Sequence, residues 1–333
     1  MLEVKGSFFM SIASHPTATL NRARYAPVPR AATAAIEPTL PFYALDGRPL
    51  QWSPDRKAVA FESTATEYFS DKLAVSSTAL KHLARSPAHL RAAMVAPREE
   101  TASQRIGHAV HAATLEPLLF KRDYVRFDGD RRGRKWKDFQ VVNRGREILN
   151  SKEWETTIAL SARILDTTIF ESGDGNAFTF AELRDAGHCE RVIYWLDADT
   201  GLTCKARLDL SVGPLTLDVK TTDDAREDAF GFQCDRLGYD IQAAFYLRAR
   251  RALDPTLESP PFIFVAAELP APHAVVPHRA DQEAFVDVGE EKVVRLMRQF
   301  KQCALRFDWP AYPRPSGTLK LPFVRRFPST LNI

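Results

Sequence analysis

The chain reads as an α/β fold, a mixed β-sheet with a central antiparallel hairpin, flanked by helices. Three stretches predict it. Residues 204–220 alternate apolar and polar on both sides of Val212-Gly213-Pro214, the period of two half-buried strands joined by a tight turn. Residues 261–268 are a nearly unbroken apolar run, a buried strand that fits beside the hairpin. Residues 280–306 put Phe285, Val288, Val293, Leu296, Phe300 and Leu305 on roughly one side of a long helix.

The hairpin carries the chemistry. Lys205, Arg207 and Asp209 share a face of its first strand; Asp218 and Lys220 share a face of the second, with Val219 pointing the other way. Acidic residues are poor strand formers, so two of them in an apolar hairpin need a reason. One reading is a divalent-metal site, with Asp209 and Asp218 as hard oxygen ligands and the Val219 carbonyl as a third. Lys220 would then steady an attacking hydroxide or the growing phosphate charge. The other reading is an exposed Asp–Lys pair on a sheet edge, and the hairpin alone does not choose between them.

Asp209, eight intervening residues and Asp218-Val219-Lys220 resemble the PD-(D/E)XK nuclease core in its D…D-x-K form. The flanks resemble the RecE-type exonuclease (exonuclease VIII) branch, related to lambda-type phage exonucleases. They comprise Glu190-Arg-Val-Ile-Tyr-Trp195, Thr200-Gly-Leu-Thr-Cys204, Arg207-Leu-Asp209, Asp218-Val-Lys-Thr-Thr222 and Gly238-Tyr-Asp-Ile-Gln-Ala-Ala-Phe-Tyr246. Upstream, Gly107-His-Ala-Val-His-Ala-Ala-Thr-Leu-Glu-Pro117 is similar to that branch's first helix. The resemblance spans residues 65–270.

It implies a PD-(D/E)XK core that hydrolyses phosphodiesters with one or two Mg²⁺ ions, for which Mn²⁺ can substitute. Asp209, Asp218 and the Val219 carbonyl would hold the metal, with His111 assisting and Glu190 as a second-metal or metal-water candidate. Lys220 would orient or activate the water, and Gln242 and Tyr246, at i and i+4 on one helix, would shape the pocket. The implied substrate is double-stranded DNA, resected from 5′ ends to leave 3′ overhangs. The implied assembly is a homo-oligomeric ring working with a single-strand annealing protein, typically of phage or prophage origin. Another nuclease on the same core, or a silent DNA-binding relative, are the rivals.

The rest of the chain fits around this core. It has 333 residues, 45% hydrophobic and 26% charged, with a formal net charge of +3. That is ordinary for a globular protein and too weakly basic to argue for nucleic acid by itself. No run approaches the roughly 18 apolar residues of a membrane helix, and the opening 14 residues mix Glu3 with Lys5 around a short apolar run, unlike a signal peptide. Cys189, Cys204, Cys234 and Cys303 form no C-x-x-C pair. They read as buried small side chains in a reducing cytoplasm.

Residues 1–60 read as a loosely ordered or extended arm, Pro- and Ala-rich from residue 15, residues 61–310 as the nuclease domain, and 311–333 as a tail packed on the body or on a neighbouring subunit. Helices are expected over 75–96, with serine caps and Pro87 at a first position, and over 102–116, ending before Pro117. His108 and His111 lie one turn apart on the latter helix. Glu116 is about 140° around it from His111 and suits a structural ion pair better than a ligand role. Residues 126–137 read as a basic loop; Arg131, Arg132, Arg134 and Lys135, together with Arg207, are candidate contacts to a DNA backbone, or the loop is a solvated charge run. Helices are expected over 137–150 and 152–170, a strand from Glu190, a polar loop over 221–236 and a helix over 238–251.

Overall fold

The computed structural model describes residues 58–61, 68–69, 71, 74–96, 101–171 and 176–312. Its centre is a six-stranded mixed sheet. The strands are β1 (Ala58–Phe61), β6 (His188–Leu196), β7 (Thr203–Val212), β8 (Leu215–Thr222), β9 (Phe262–Glu268) and β10 (Val275–Arg279), and they neighbour one another in that order. All pairings are antiparallel except β8 with β9, which run parallel. The expected hairpin is β7–β8. Gly213 has φ 52°, the left-handed turn geometry that favours glycine, and the Arg250 guanidinium caps the turn through the Gly213 carbonyl.

Helices cover both faces. On one side lie α1 (Ser77–Arg85), α2 (Pro87–Val95), α8 (Glu227–Leu237), α9 (Tyr239–Leu253) and α10 (Val288–Arg306). On the other lie α3 (Ala102–Leu115), α6 (Ser151–Asp166) and α7 (Phe180–Ala186). The first core holds Phe245, Phe262, Phe264 and Leu296, the second Val110, Leu160, Leu217 and Val265. A small outlying unit joins α4 (Pro117–Asp123), β2 (Tyr124–Phe127), α5 (Gly133–Val142) and β3 (Glu147–Asn150), where Phe120 and Leu149 pack against Ala109.

The caps follow the sequence signals. Ser76 accepts from the Ala79 amide and Ser86 from the His89 amide, with Pro87 at the first position of α2. Asn150 and Glu153 form a reciprocal capping box on α6. Cys204, Cys234 and Cys303 are buried and all four thiols are free. Among the described residues no helix is long and apolar enough to cross a membrane.

Several expectations are corrected. Residues 137–150 are not one helix: α5 stops at Val142, Gly145 takes φ 87°, and 147–150 pair in parallel with 124–127. The basic stretch 126–137 is not all loop, since it starts in β2 and enters α5 at Gly133. Helix α6 ends at Asp166, and the β-branched run that follows forms β4 (Thr168–Glu171), paired with β5 (Ala177–Thr179). Residues 227–236, expected as part of a loop, lie in α8; Glu227 and Asp228 favour its N-terminus and left-handed Gly238 ends it. Strand β10 went unforeseen because Pro277 argues against a strand, but it sits at the sheet edge, where proline is tolerated. A π-helical turn, Gln282–Asp287, precedes α10. Residues 58–60, expected within the arm, are part of β1. The rest of the arm and residues 313–333 of the tail lie outside the described residues; before them, Trp309 packs on Phe300 and the Pro310 carbonyl accepts from Ala88.

Gly289 fixes the approach of α10 to α9, because a Cβ there would overlap the Asp240 carbonyl. Alanine gains roughly 0.5–1 kcal/mol of helix propensity over glycine, but a rigid backbone neighbour makes the overlap cost more. We expect Gly289→Ala to lower the unfolding free energy by about 1–3 kcal/mol, measured by urea denaturation; a stabilised variant would contradict this packing.

Candidate active site

The site forms where β7 and β8 part. Their ladder pairs Val212 with Leu215, Ser211 with Thr216 and Leu210 with Leu217, then stops. At the next position Asp209 replaces the ladder bond: its Oδ2 accepts from the Val219 amide at 2.8 Å. The N–H and C=O of one extended residue point to the same side, so the Val219 carbonyl also faces β7. On the other flank, Cys189 pairs with Leu210 and Arg191 with Leu208. Glu190 therefore falls opposite Asp209.

Glu190 has φ 51°, a conformation that L-residues avoid at a cost on the order of 1–2 kcal/mol. The strands change sides at this level. Cys204, Ala206 and Leu208 pack into the first core but Leu210 and Val212 into the second; on β6, Ile193 and Trp195 belong to the first core and Cys189 to the second. Both acidic side chains alternate with Leu208, Ala206 and Ile193 of the first core and so face the gap between sheet and α3. There His111 meets them: its Nδ1 lies 3.4 Å from Asp209 Oδ2. One ligand atom each from His111, Glu190 and Asp209 can be chosen so that all lie within 4.8 Å of one another. Gly107, one turn earlier, lets α3 come this close, since a Cβ there would lie 3.1 Å from Thr221 Oγ1. His108 is exposed.

Asp218 and Lys220 stand beside this trio on the α9 side. The Asp218 side chain is 1% exposed; its Oδ1 accepts from Gln242 Nε2 at 2.7 Å and its Oδ2 contacts the Lys220 ammonium. Burial pushes the Asp218 carboxyl up, against the pull of Lys220. For Lys220 burial works the other way, but Asp218 and Asp209 outweigh it and hold the ammonium above its ordinary range. Burial, then the nearby Asp209, raises Glu190 well above the usual carboxylate range. Carboxylates crowded in this way disfavour a second negative charge, and a divalent cation would relieve that. Carboxylate oxygens with one imidazole form a donor set that suits such an ion, so the residues fit a metal.

Arg207 joins the edge of the cluster instead of standing free. Its Nε lies 2.9 Å from Glu190 and its second terminal nitrogen 3.2 Å from Glu116. Glu116 is thus an ion-pair partner, as its angle on the helix suggested. Lys205, on the same strand, reaches away to the carbonyls of Tyr68 and Asp71. Gln242 is at the site, whereas Tyr246, one turn on, is buried and hydrogen-bonded to Ser77. Arg131 is held by Glu153, the Ile148 carbonyl and the Trp136 ring, while Arg132, Arg134 and Lys135 are exposed on the start of α5.

Two neighbours went unread in the sequence. Lys81 on α1 donates to Gln242 Oε1 at 2.7 Å. Burial, then Lys220, pushes it down to about 7. The Tyr239 ring lies beneath both ammonium groups, 5.1 Å from Lys81 and 5.0 Å from Lys220. A lone lysine on an amphipathic helix carries no signal for such a role.

Removing Arg207 should leave Glu190 and Glu116 facing each other without their shared cation. Because both pairs keep some solvent contact, we expect Arg207→Met to cost about 2 kcal/mol. Glu190→Gln in the same chain should recover part of that loss. Thermal unfolding of the two variants checks this; no loss in Arg207→Met would mean that the pairs contribute nothing.

A family model described as a PDDEXK-like domain of unknown function (DUF3799) matches residues 76–320. Among solved structures, the chain is similar to a crystal structure of a protein from Eubacterium rectale described as a "putative exonuclease". The two are 13% identical with a TM-score of 0.50, and the match covers 79% of this chain and 97% of that one. At that identity the likeness speaks for the fold. No curated protein sequence matches the chain significantly. With the family match extending over most of its length and the splayed Asp209/Asp218-Val219-Lys220 hairpin at its centre, the chain belongs to the PDDEXK-like family.

Proposed function

We propose that this protein is a Mg²⁺-dependent deoxyribonuclease that resects linear double-stranded DNA from its 5′ ends and leaves 3′ single-stranded overhangs, in the manner of RecE-type exonucleases. The meeting of His111, Glu190 and Asp209 beside the Asp218–Lys220 pair carries the reading. His111, Glu190 and Asp209 would hold the cation, with Asp218 and the Val219 carbonyl at its border; Mn²⁺ should substitute. When bound, such an ion supplies a water of lowered pKa and neutralises charge on the phosphate oxygens.

The chain's own groups do the rest. Lys220, kept charged by its two carboxylate neighbours, offers an ammonium where negative charge grows on the phosphorus centre. Gln242 holds Asp218 in place. Tyr246, buried and fixed by Ser77 one turn beyond Gln242, helps to hold that helix in place. Arg207 serves the carboxylates more than the DNA. Arg132, Arg134 and Lys135, with Arg131 behind them, form the phosphate-tracking surface. A ring of subunits and a single-strand annealing partner complete the reading; for both, the support is the resemblance to RecE-type proteins.

End-labelled linear duplex and covalently closed circles, incubated with Mg²⁺, test the activity. We expect the linear DNA to be degraded, faster with a 5′ phosphate, and the circle to survive. Cleavage of the circle would make the protein an endonuclease. Asp209→Ala or Lys220→Ala should reduce the rate at least a thousandfold, on the order of 4 kcal/mol of lost transition-state stabilisation; full activity in either would contradict the site. Replacing Arg132, Arg134 and Lys135 with glutamine should lower the salt dependence of DNA affinity by about 2–3 in log–log slope. An unchanged slope would remove α5 from the DNA path.

A further inference from the structure

Lys81 does not touch the residues that would hold a cation, yet through Gln242 it reaches Asp218 at their border. In its charged form Lys81 has donors and no acceptor, so the end of the Gln242 carboxamide that faces the ammonium is the oxygen, at 2.7 Å. The amide nitrogen is then forced toward Asp218 Oδ1, also at 2.7 Å. The two ends of a carboxamide are nearly the same size, and packing alone hardly distinguishes them. Reversed, the group would set its oxygen against the carboxylate of Asp218 in a place with almost no water, which is costly. With one Asp218 oxygen on Gln242, the other is left for Lys220.

The surroundings are shaped for Lys81. Its stem packs on Gly238, where a Cβ would lie 3.3 Å from Lys81 Cγ, and Gly238 opens α9 at φ 64°. The π face of Tyr239 lies near both Lys81 and Lys220, which eases placing two cations close together. We propose that Lys81 is a positioning residue: it fixes the orientation of the Gln242 carboxamide, and through it the Asp218–Lys220 pair on which the proposed nuclease chemistry rests.

The test uses the full chain with Lys81→Met, Lys81→Arg, Gln242→Leu and the Lys81→Met/Gln242→Leu double variant. The side-chain amide protons of Gln242, identified in NMR spectra by their loss in Gln242→Leu, should exchange slowly with solvent in the natural protein and in Lys81→Arg. In Lys81→Met they should exchange at least roughly tenfold faster, the loss expected for one hydrogen bond to a charged group. That readout needs no nuclease activity. In Mg²⁺-dependent degradation of linear duplex, Lys81→Met should lower kcat about tenfold with KM within about twofold. The double variant should be no slower than Gln242→Leu alone, because the two residues act as one unit. Unchanged amide exchange in Lys81→Met would overturn the proposal. So would a rise in KM at constant kcat that persists in the Gln242→Leu background, which would make Lys81 a direct contact to DNA. If Lys81→Met fails to fold, fast amide exchange in the folded Lys81→Arg would equally overturn it. If the natural protein degrades no DNA while the exchange results hold, the functional reading fails and the positioning role stands.

Discussion

The site depends on a ladder bond that is given up. Between β7 and β8 the backbone pairing ends at Leu210 and Leu217, and the Asp209 carboxylate takes the Val219 amide in its place. A buried N–H must find an acceptor, so the splay persists only because an acid stands at that position. The same acid is then fixed with its remaining capacity directed at His111 and Glu190. Strand β9 supports the open edge from the other side, pairing with β8 along its length, so the gap does not spread into the core.

Charge is distributed around this gap in an uneven way. Four carboxylates, Asp209, Asp218, Glu190 and Glu116, gather within reach of three cations, Lys220, Arg207 and Lys81. The cations sit at the border: Arg207 ties Glu190 to Glu116, and Lys220 is drawn to Asp218. Asp209 and Glu190 are left facing each other across the β6–β7 level with a histidine between strand and helix. In this low-dielectric space burial and the neighbouring Asp209 hold Glu190 well above the usual carboxylate range. A small divalent ion would convert that repulsion into binding, which is why the donor set reads as a metal centre more readily than as a structural ion-pair network.

The legible parts were those written in local period and spacing. The alternation of 204–220 and the turn at Gly213 specify the hairpin, and the spacing of Asp209 from Asp218 puts both at its open end. His111 and Gln242 came from the resemblance of their helices to the RecE-type pattern, since a lone helical histidine or glutamine carries no such signal by itself. The geometry of Glu190 was not legible, since nothing in Cys189-Glu190-Arg191 announces a left-handed glutamate that moves two strands from one core to the other. Lys81 and Tyr239 were hidden for a different reason: their roles exist only after α1 and α9 meet over β8. The four-residue strands β3 and β4 were lost in helical patterns and the end of β2 in a basic loop, because so few residues do not separate a period of 2 from one of 3.6. Helix α8 was hidden by its polarity, since much of its surface faces solvent.

The central claim is that the gap at Asp209 is a divalent-metal centre, and diffraction from crystals grown with Mn²⁺ tests it most directly. Data collected at the manganese absorption edge should show an anomalous peak lying between His111, Glu190 and Asp209, absent from Asp209→Asn crystals grown in the same way. Manganese bound elsewhere, with these three side chains still held by Arg207, Val219 and one another, would contradict the account.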